Sequence, residues 1–232
     1  MKTPLQTRLI AVLTRLEAKT LAVWIALFGA PWLFFTVAEE VGEGETEAID
    51  RSLIMAFRNP ADLADPIGPR WFEEAMRDIT ALGGFTVLTI TTIVAALLLL
   101  FHDRRRQALI FVTTVLLAQV SSEVLKAFYD RDRPSLVTHG SHVYSQSFPS
   151  GHSTLAAATF FTLAAVLASL ETRKRTKAVI FAVAICFVIG VGISRVYLGV
   201  HWPSDVVGGW ALGASWAFLA WVVLGLTRPR RV

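Results

Sequence analysis

The chain has 232 residues, of which 54% are hydrophobic and 17% charged, with a mean hydropathy of +0.54. So little charge excludes a disordered chain and argues against an ordinary soluble domain, in which about 25% of residues are charged. The net charge of +4 would suit a nucleic-acid partner, but basic residues on the cytoplasmic side of a membrane protein account for it more simply. The single cysteine, Cys186, leaves no intramolecular disulfide and no thiolate metal cluster.

Residues 1–19 place Leu5, Leu9, Val12, Leu13 and Leu16 at helical spacing beside Arg8 and Arg15, which predicts an amphipathic helix over 4–18 lying on the cytoplasmic membrane surface. Six charge-poor runs follow, each near the length that crosses a bilayer. They predict an all-α integral membrane bundle of six transmembrane helices, with spans at about 20–38, 79–101, 107–126, 152–170, 178–195 and 205–227. Residues 20–227 then form one domain, and 228–232 a basic tail. The first run does not read as a cleavable signal, because no small-residue site precedes the acidic loop. The third run is the weakest, carrying Thr113, Thr114, Gln119, Ser121 and Ser122; polar residues in a span usually pack against other helices.

The connection over 39–78 opens with Glu39, Glu40, Glu43, Glu45 and Glu47, a solvated acidic stretch. Asn59-Pro60 and Pro66-Ile67-Gly68-Pro69 mark turns. Residues 50–58 and 71–78 read as short amphipathic helices on the outer surface. Fourteen basic residues fall on the N-terminal side of the membrane and eight on the other. The positive-inside rule therefore puts both termini in the cytoplasm and residues 39–78, 126–152 and 195–205 outside.

Two short stretches on that outer side hold costly charges at span ends. One runs from Lys126 through Arg133-Pro134 to Pro149-Ser150-Gly151-His152; the other is Ser194-Arg195 followed by His201 and Asp205. Lys126, Arg133 and Arg195 are cations suited to phosphate oxygens. Ser150 and Gly151 open the fourth span, where free backbone N–H groups attract an anion. His201 and Asp205 share a face if their helix begins near Pro203, so that Asp205 holds one imidazole nitrogen and frees the other to attack. His152 is placed to protonate a leaving oxygen. Taken singly, each has a plainer reading: an interfacial histidine, a solvated arginine, a helix cap. Their joint order on one face is what points to phosphoryl transfer.

At these residues the sequence resembles the type 2 phosphatidic acid phosphatase family. The pattern of Lys, six residues, Arg-Pro is met by Lys126 and Arg133-Pro134; Pro-Ser-Gly-His by Pro149 to His152; and Ser-Arg, five residues, His, three residues, Asp by Ser194-Arg195, His201 and Asp205. The resemblance covers roughly residues 20–226. It implies a membrane lipid phosphate phosphatase with His201 as nucleophile through a phosphohistidine, Asp205 orienting it and His152 as general acid. It implies that Lys126, Arg133 and Arg195, with Ser150 and the Gly151 N–H, hold the phosphoryl group, and that Ser194 is structural. Asp130, Arg131 and Asp132 are expected to form local ion pairs, and His139 and His142 match no motif position.

No cofactor and no metal are expected, since no His, Cys or carboxylate set has ligand spacing near the site. The partner is a membrane-embedded lipid phosphate, such as undecaprenyl diphosphate, phosphatidylglycerol phosphate or phosphatidic acid, in a bacterial inner membrane. A vanadate-dependent haloperoxidase would carry a similar site but not six spans. The remaining alternative is an inactive relative that transports a lipid or anion; phosphate release separates it from an enzyme.

Overall fold

The computed structural model describes residues 28–137 and 145–226. The surface helix expected over 4–18, the start of the first span, the basic tail, His139 and His142 lie outside them. The described chain is mostly helical. Helix α1 covers residues 28–43, followed by α2 (Glu47–Met55), strands β1 (Arg58–Asn59) and β2 (Asp62–Pro66), then α3 (Arg70–Ala81), α4 (Phe85–Phe101), α5 (Arg105–Tyr129), α6 (Gly151–Leu170), α7 (Lys174–Tyr197) and α8 (Pro203–Leu226).

Helices α5 to α8 are each long and apolar enough to cross a membrane. Side chains such as Ile93, Leu109, Leu116 and Val179 stand exposed on the bundle, as suits a surface wetted by lipid rather than water. The chain is an integral membrane protein. The run expected to span over 79–101 is broken: α3 ends at Ala81, Gly83 and Gly84 intervene, and α4 leaves at a bend of 47°. A Cβ at Gly83 would lie 2.5 Å from Val191 Cγ1, so this corner fits against α7 only without a side chain. A hydropathy run without charges conceals such a break, because both halves are apolar. If the bent pair counts as one, it makes a fifth candidate span.

Between α1 and α3 the expected loop helices shift. The first occupies Glu47–Met55 rather than 50–58, and the second Arg70–Ala81 rather than 71–78. The expected all-α class also misses a small antiparallel hairpin, in which Asn59 pairs with Asp62 around the Asn59-Pro60 turn. The first span was expected to end at 38, but α1 runs on to 43, with Glu39, Glu40 and Glu43 exposed on its last turns.

The α6–α8 contact forms the centre of the bundle. The inward face of α6 is small, with Ala156, Ala157 and Ala158 all fully buried. Gly209 and Gly213 of α8 press on its backbone: a Cβ there would sit 2.7 Å from the Ser150 carbonyl and 2.2 Å from that of Thr154. Such small-residue interfaces let helix backbones approach closely where the hydrophobic effect gives no drive. Helix α1 packs on this centre through Phe34, stacked on Phe148 with ring centroids 5.9 Å apart.

Candidate active site

Local rules bring the last motif together. Helix α7 ends in a Schellman turn: Gly199, at φ +69°, donates to the Val196 carbonyl, and Val200 donates to that of Arg195. The turn delivers His201 directly to the start of α8. Pro203 takes the first helical position, where a missing N–H costs nothing. Asp205, at the third, reaches back to the Trp202 N–H at 2.8 Å, one half of a capping box. His201 therefore precedes the helix instead of sharing its face, and meets Asp205 because the carboxylate folds back. His201 Nδ1 lies 3.2 Å from Asp205 Oδ2. Both side chains are buried, at 1% and 0% exposure.

The tautomer follows from the partners. Arg133 Nη1 lies 3.1 Å from His201 Nε2 and can only donate, so Nε2 accepts and Nδ1–H donates to Asp205. Burial, then the charges of Arg195, Arg133 and Lys126, hold the His201 imidazole well below its usual pKa. At neutral pH it is uncharged, with a nucleophilic lone pair on Nε2. Arg133 is itself fixed by the carbonyls of Val200 (2.6 Å), Ser145 (2.7 Å) and Gln146 (3.2 Å), and burial lowers its pKa from the ordinary arginine value.

The other cations lie within electrostatic reach of this imidazole. Lys126, in the last turn of α5, bonds Ser145 Oγ at 2.9 Å and has Glu123 at 3.7 Å. Arg195, in the last turn of α7, donates from Nη1 to Thr80 Oγ1 at 3.0 Å. Its Nε is buried with no acceptor among the described residues, which leaves a donor for an anion. His152 lies within electrostatic reach of Arg195, His201, Lys126 and Arg133. It enters on the first turn of α6, which Ser150 caps by accepting from the Ser153 N–H and hydroxyl. The first N–H groups of that helix have no carbonyl four residues back. A Cβ at Gly151 would stand 3.2 Å from Lys126 Nζ, so glycine keeps the approach open. Ser150 N bonds the Asp205 carbonyl at 2.9 Å, which ties α6 to α8 at the site itself.

All the expected site residues thus meet: His201, His152, Asp205, Lys126, Arg133, Arg195, Ser150 and Gly151. Ser194 only returns its hydroxyl to the Val191 carbonyl at 2.6 Å. Arg131 departs from expectation. Its ion pairs are not local but reach Asp205 Oδ1 at 2.6 Å and Asp50 Oδ2 at 2.8 Å. Asp130 instead accepts from Gln146, and the Asp132 carbonyl from Trp202 Nε1. The sequence reading also missed Ser147, whose hydroxyl donates to Asp205 Oδ2, and Thr80 and Asp50. Arg131 had a signal: it stands two residues from Arg133 in the segment between α5 and α6 that completes the first motif. Among the described residues, no three of His, Cys, Asp and Glu gather as a metal set.

The bundle thus gathers three cations near an uncharged, carboxylate-backed histidine, a setting suited to an anion such as phosphate. The model of the PAP2 superfamily matches residues 107–228, which include every expected site residue. The chain is 34% identical over 150 residues to phosphatidylglycerophosphatase B of Bacillus subtilis, covering 64% of this chain and 73% of that protein. It is 33% identical over 115 residues to an undecaprenyl-diphosphatase of Sulfolobus acidocaldarius, covering 47% of this chain and 50% of that one. The crystal structure of the transmembrane PAP2-type phosphatidylglycerolphosphate phosphatase from Bacillus subtilis superposes with a TM-score of 0.79 at 27% identity, over 89% of this chain and all of that one. The chain belongs to the PAP2 superfamily. It is a membrane lipid phosphatase, a hydrolase of phosphoric ester or anhydride bonds.

Proposed function

We propose that this phosphatase works in two in-line steps on His201. Nε2 attacks phosphorus, the N–P bond forms and the P–O bond to the lipid breaks, while His152 gives its proton to the departing oxygen. His152 then takes a proton from water as that water attacks the phosphohistidine, and inorganic phosphate leaves. Asp205 holds Nδ1–H and stabilises the positive charge that develops on the ring. Lys126, Arg133 and Arg195, with Ser150 and the Gly151 N–H, hold the three equatorial oxygens. The observation that carries this reading is the approach of Arg133 to Nε2, 3.1 Å away. A phosphoryl group presented to that lone pair lies against a guanidinium at once.

The substrate we propose is a phosphate or diphosphate on a membrane-embedded tail: phosphatidylglycerol phosphate, undecaprenyl diphosphate or phosphatidic acid. The names of the two relatives support the first two. The test is phosphate release by the purified protein across these three lipids; an inactive, transporting relative would release none from any of them.

For topology we propose six spans, the second of them the bent pair α3–α4, with both termini in the cytoplasm and the site on the outer face of a bacterial inner membrane. The 14-to-eight split of basic residues supports this. With Cys186 replaced by Ala, a cysteine at Ser141 should label with an impermeant thiol reagent on intact cells, and one at Thr176 should not. The reverse pattern would turn the protein over.

A further inference from the structure

Asp50 and Arg131 have no part in the steps above. Asp50, on α2, is 1% exposed and lies far along the chain from the three motifs. Its Oδ1 accepts the Ser204 N–H at 2.8 Å, so a carboxylate from another helix caps the first turn of α8. Its Oδ2 accepts the Ser204 hydroxyl and Nη2 of Arg131. Arg131 spreads its two Nη atoms between two acids. Nη1 takes Asp205 Oδ1 (2.6 Å) and Ser204 Oγ (2.8 Å); Nη2 takes Asp50 Oδ2 (2.8 Å) and Thr46 Oγ1 (3.2 Å).

This division leaves Asp205 Oδ2 to His201 Nδ1, the Trp202 N–H and Ser147. An arginine with one carboxylate for a partner prefers the two-pronged fork, in which it takes both oxygens. Such a fork on Asp205 would compete with His201 for Oδ2. We propose that Asp50 is a positioning residue: by engaging Nη2 it stops Arg131 from closing on Asp205, and so keeps one carboxylate oxygen for the nucleophile. Helix α2 then belongs to the working frame of the site. The inference rests on the reading of Asp205 as the residue that orients His201.

Asp50→Asn isolates the effect, because the amide oxygen still caps Ser204 while the charge that holds Arg131 is gone. In the full chain in detergent, kcat should fall about tenfold, the worth of one charge-assisted contact. KM should stay within about twofold, since Asp50 does not face the phosphate. In an Arg131→Gln background the same change should cost nothing further, because no guanidinium remains to be restrained. A kcat within twofold of wild type, a loss in KM alone, or the same tenfold loss in both backgrounds would overturn the proposal. Should Asp50→Asn fail to purify as a monodisperse protein, Asp50→Ser carries the test, since a hydroxyl oxygen can still accept the Ser204 N–H while Nη2 of Arg131 loses its charged partner. A loss of about tenfold in kcat then supports the proposal, and wild-type kcat overturns it. His201→Ala runs beside them: if it stays active, the site reading has failed; if it is inert while Asp50→Asn turns over normally, only this inference has.

Discussion

The α6–α8 and α4–α5 pairs are built from apolar residues in opposite ways. Alanine and glycine let α6 and α8 meet backbone to backbone, and both carry residues of the candidate site at one end. Between α4 and α5, larger side chains such as Phe85, Leu97 and Leu116 line an open groove of about 400 Å³, with Leu155 of α6 among its walls. Close packing goes where geometry must hold to a fraction of an ångström. Open packing goes where the neighbour is fluid lipid. The two pairs should therefore respond very differently to substitution.

The largest effect is expected at the tight end. His201→Ala should leave at most a few per cent of turnover in a folded protein, because it removes the nitrogen that Arg133 approaches and Asp205 backs. Next, His152→Ala should lose roughly 10²–10⁴-fold. The loss should shrink for a substrate whose leaving group needs no proton, such as a nitrophenyl phosphate; equal losses on both substrates would break the assignment. Gly213→Val then tests the packing itself. Its new Cβ would fall 2.2 Å from the Thr154 carbonyl, so the helices must part. We expect destabilisation of at least the usual overpacking cost of about 1–3 kcal/mol, seen as a lower thermal midpoint in detergent, with activity falling alongside. Leu116→Ala, on the exposed groove, should change the midpoint little, because this side chain is already largely exposed. A drop as large as that of Gly213→Val would erase the contrast. The smallest effect is expected from chelation: exhaustive EDTA should leave the rate unchanged, with fixed cations neutralising the phosphoryl oxygens. Loss of activity restored by magnesium or zinc would refute this.

The site was legible where its chemistry is encoded in short spacing. Lys126 to Arg133, Pro149 to His152 and His201 to Asp205 are each local patterns, and the chain brings them together. What stayed hidden depends on tertiary contact. Asp50 reads as one more acid near an acidic stretch until α2 folds against α8. Arg131 reads as one member of a local ion pair with its acidic neighbours until two distant carboxylates appear beside it. The fold shows the same divide. Long apolar runs announced α5 to α8, whereas the Gly83-Gly84 corner lies inside an uncharged run and leaves no mark on hydropathy. The hairpin over 58–66 was unreadable because Asp62-Leu63-Ala64-Asp65 has neither alternation nor β-branched residues.

The hydrogen bond from Ser150 N to the Asp205 carbonyl has a further consequence. It joins the segment that leads into His152 to the one that follows His201, although α6 and α7 lie between them. The proposed acid and nucleophile are thereby latched to each other through the main chain. Mismatch between the protein and a thicker or thinner bilayer can then be absorbed at the far ends of α6 and α7, around the Glu171–Arg173 connection. One reaction centre can in this way serve membranes of different thickness without being re-tuned.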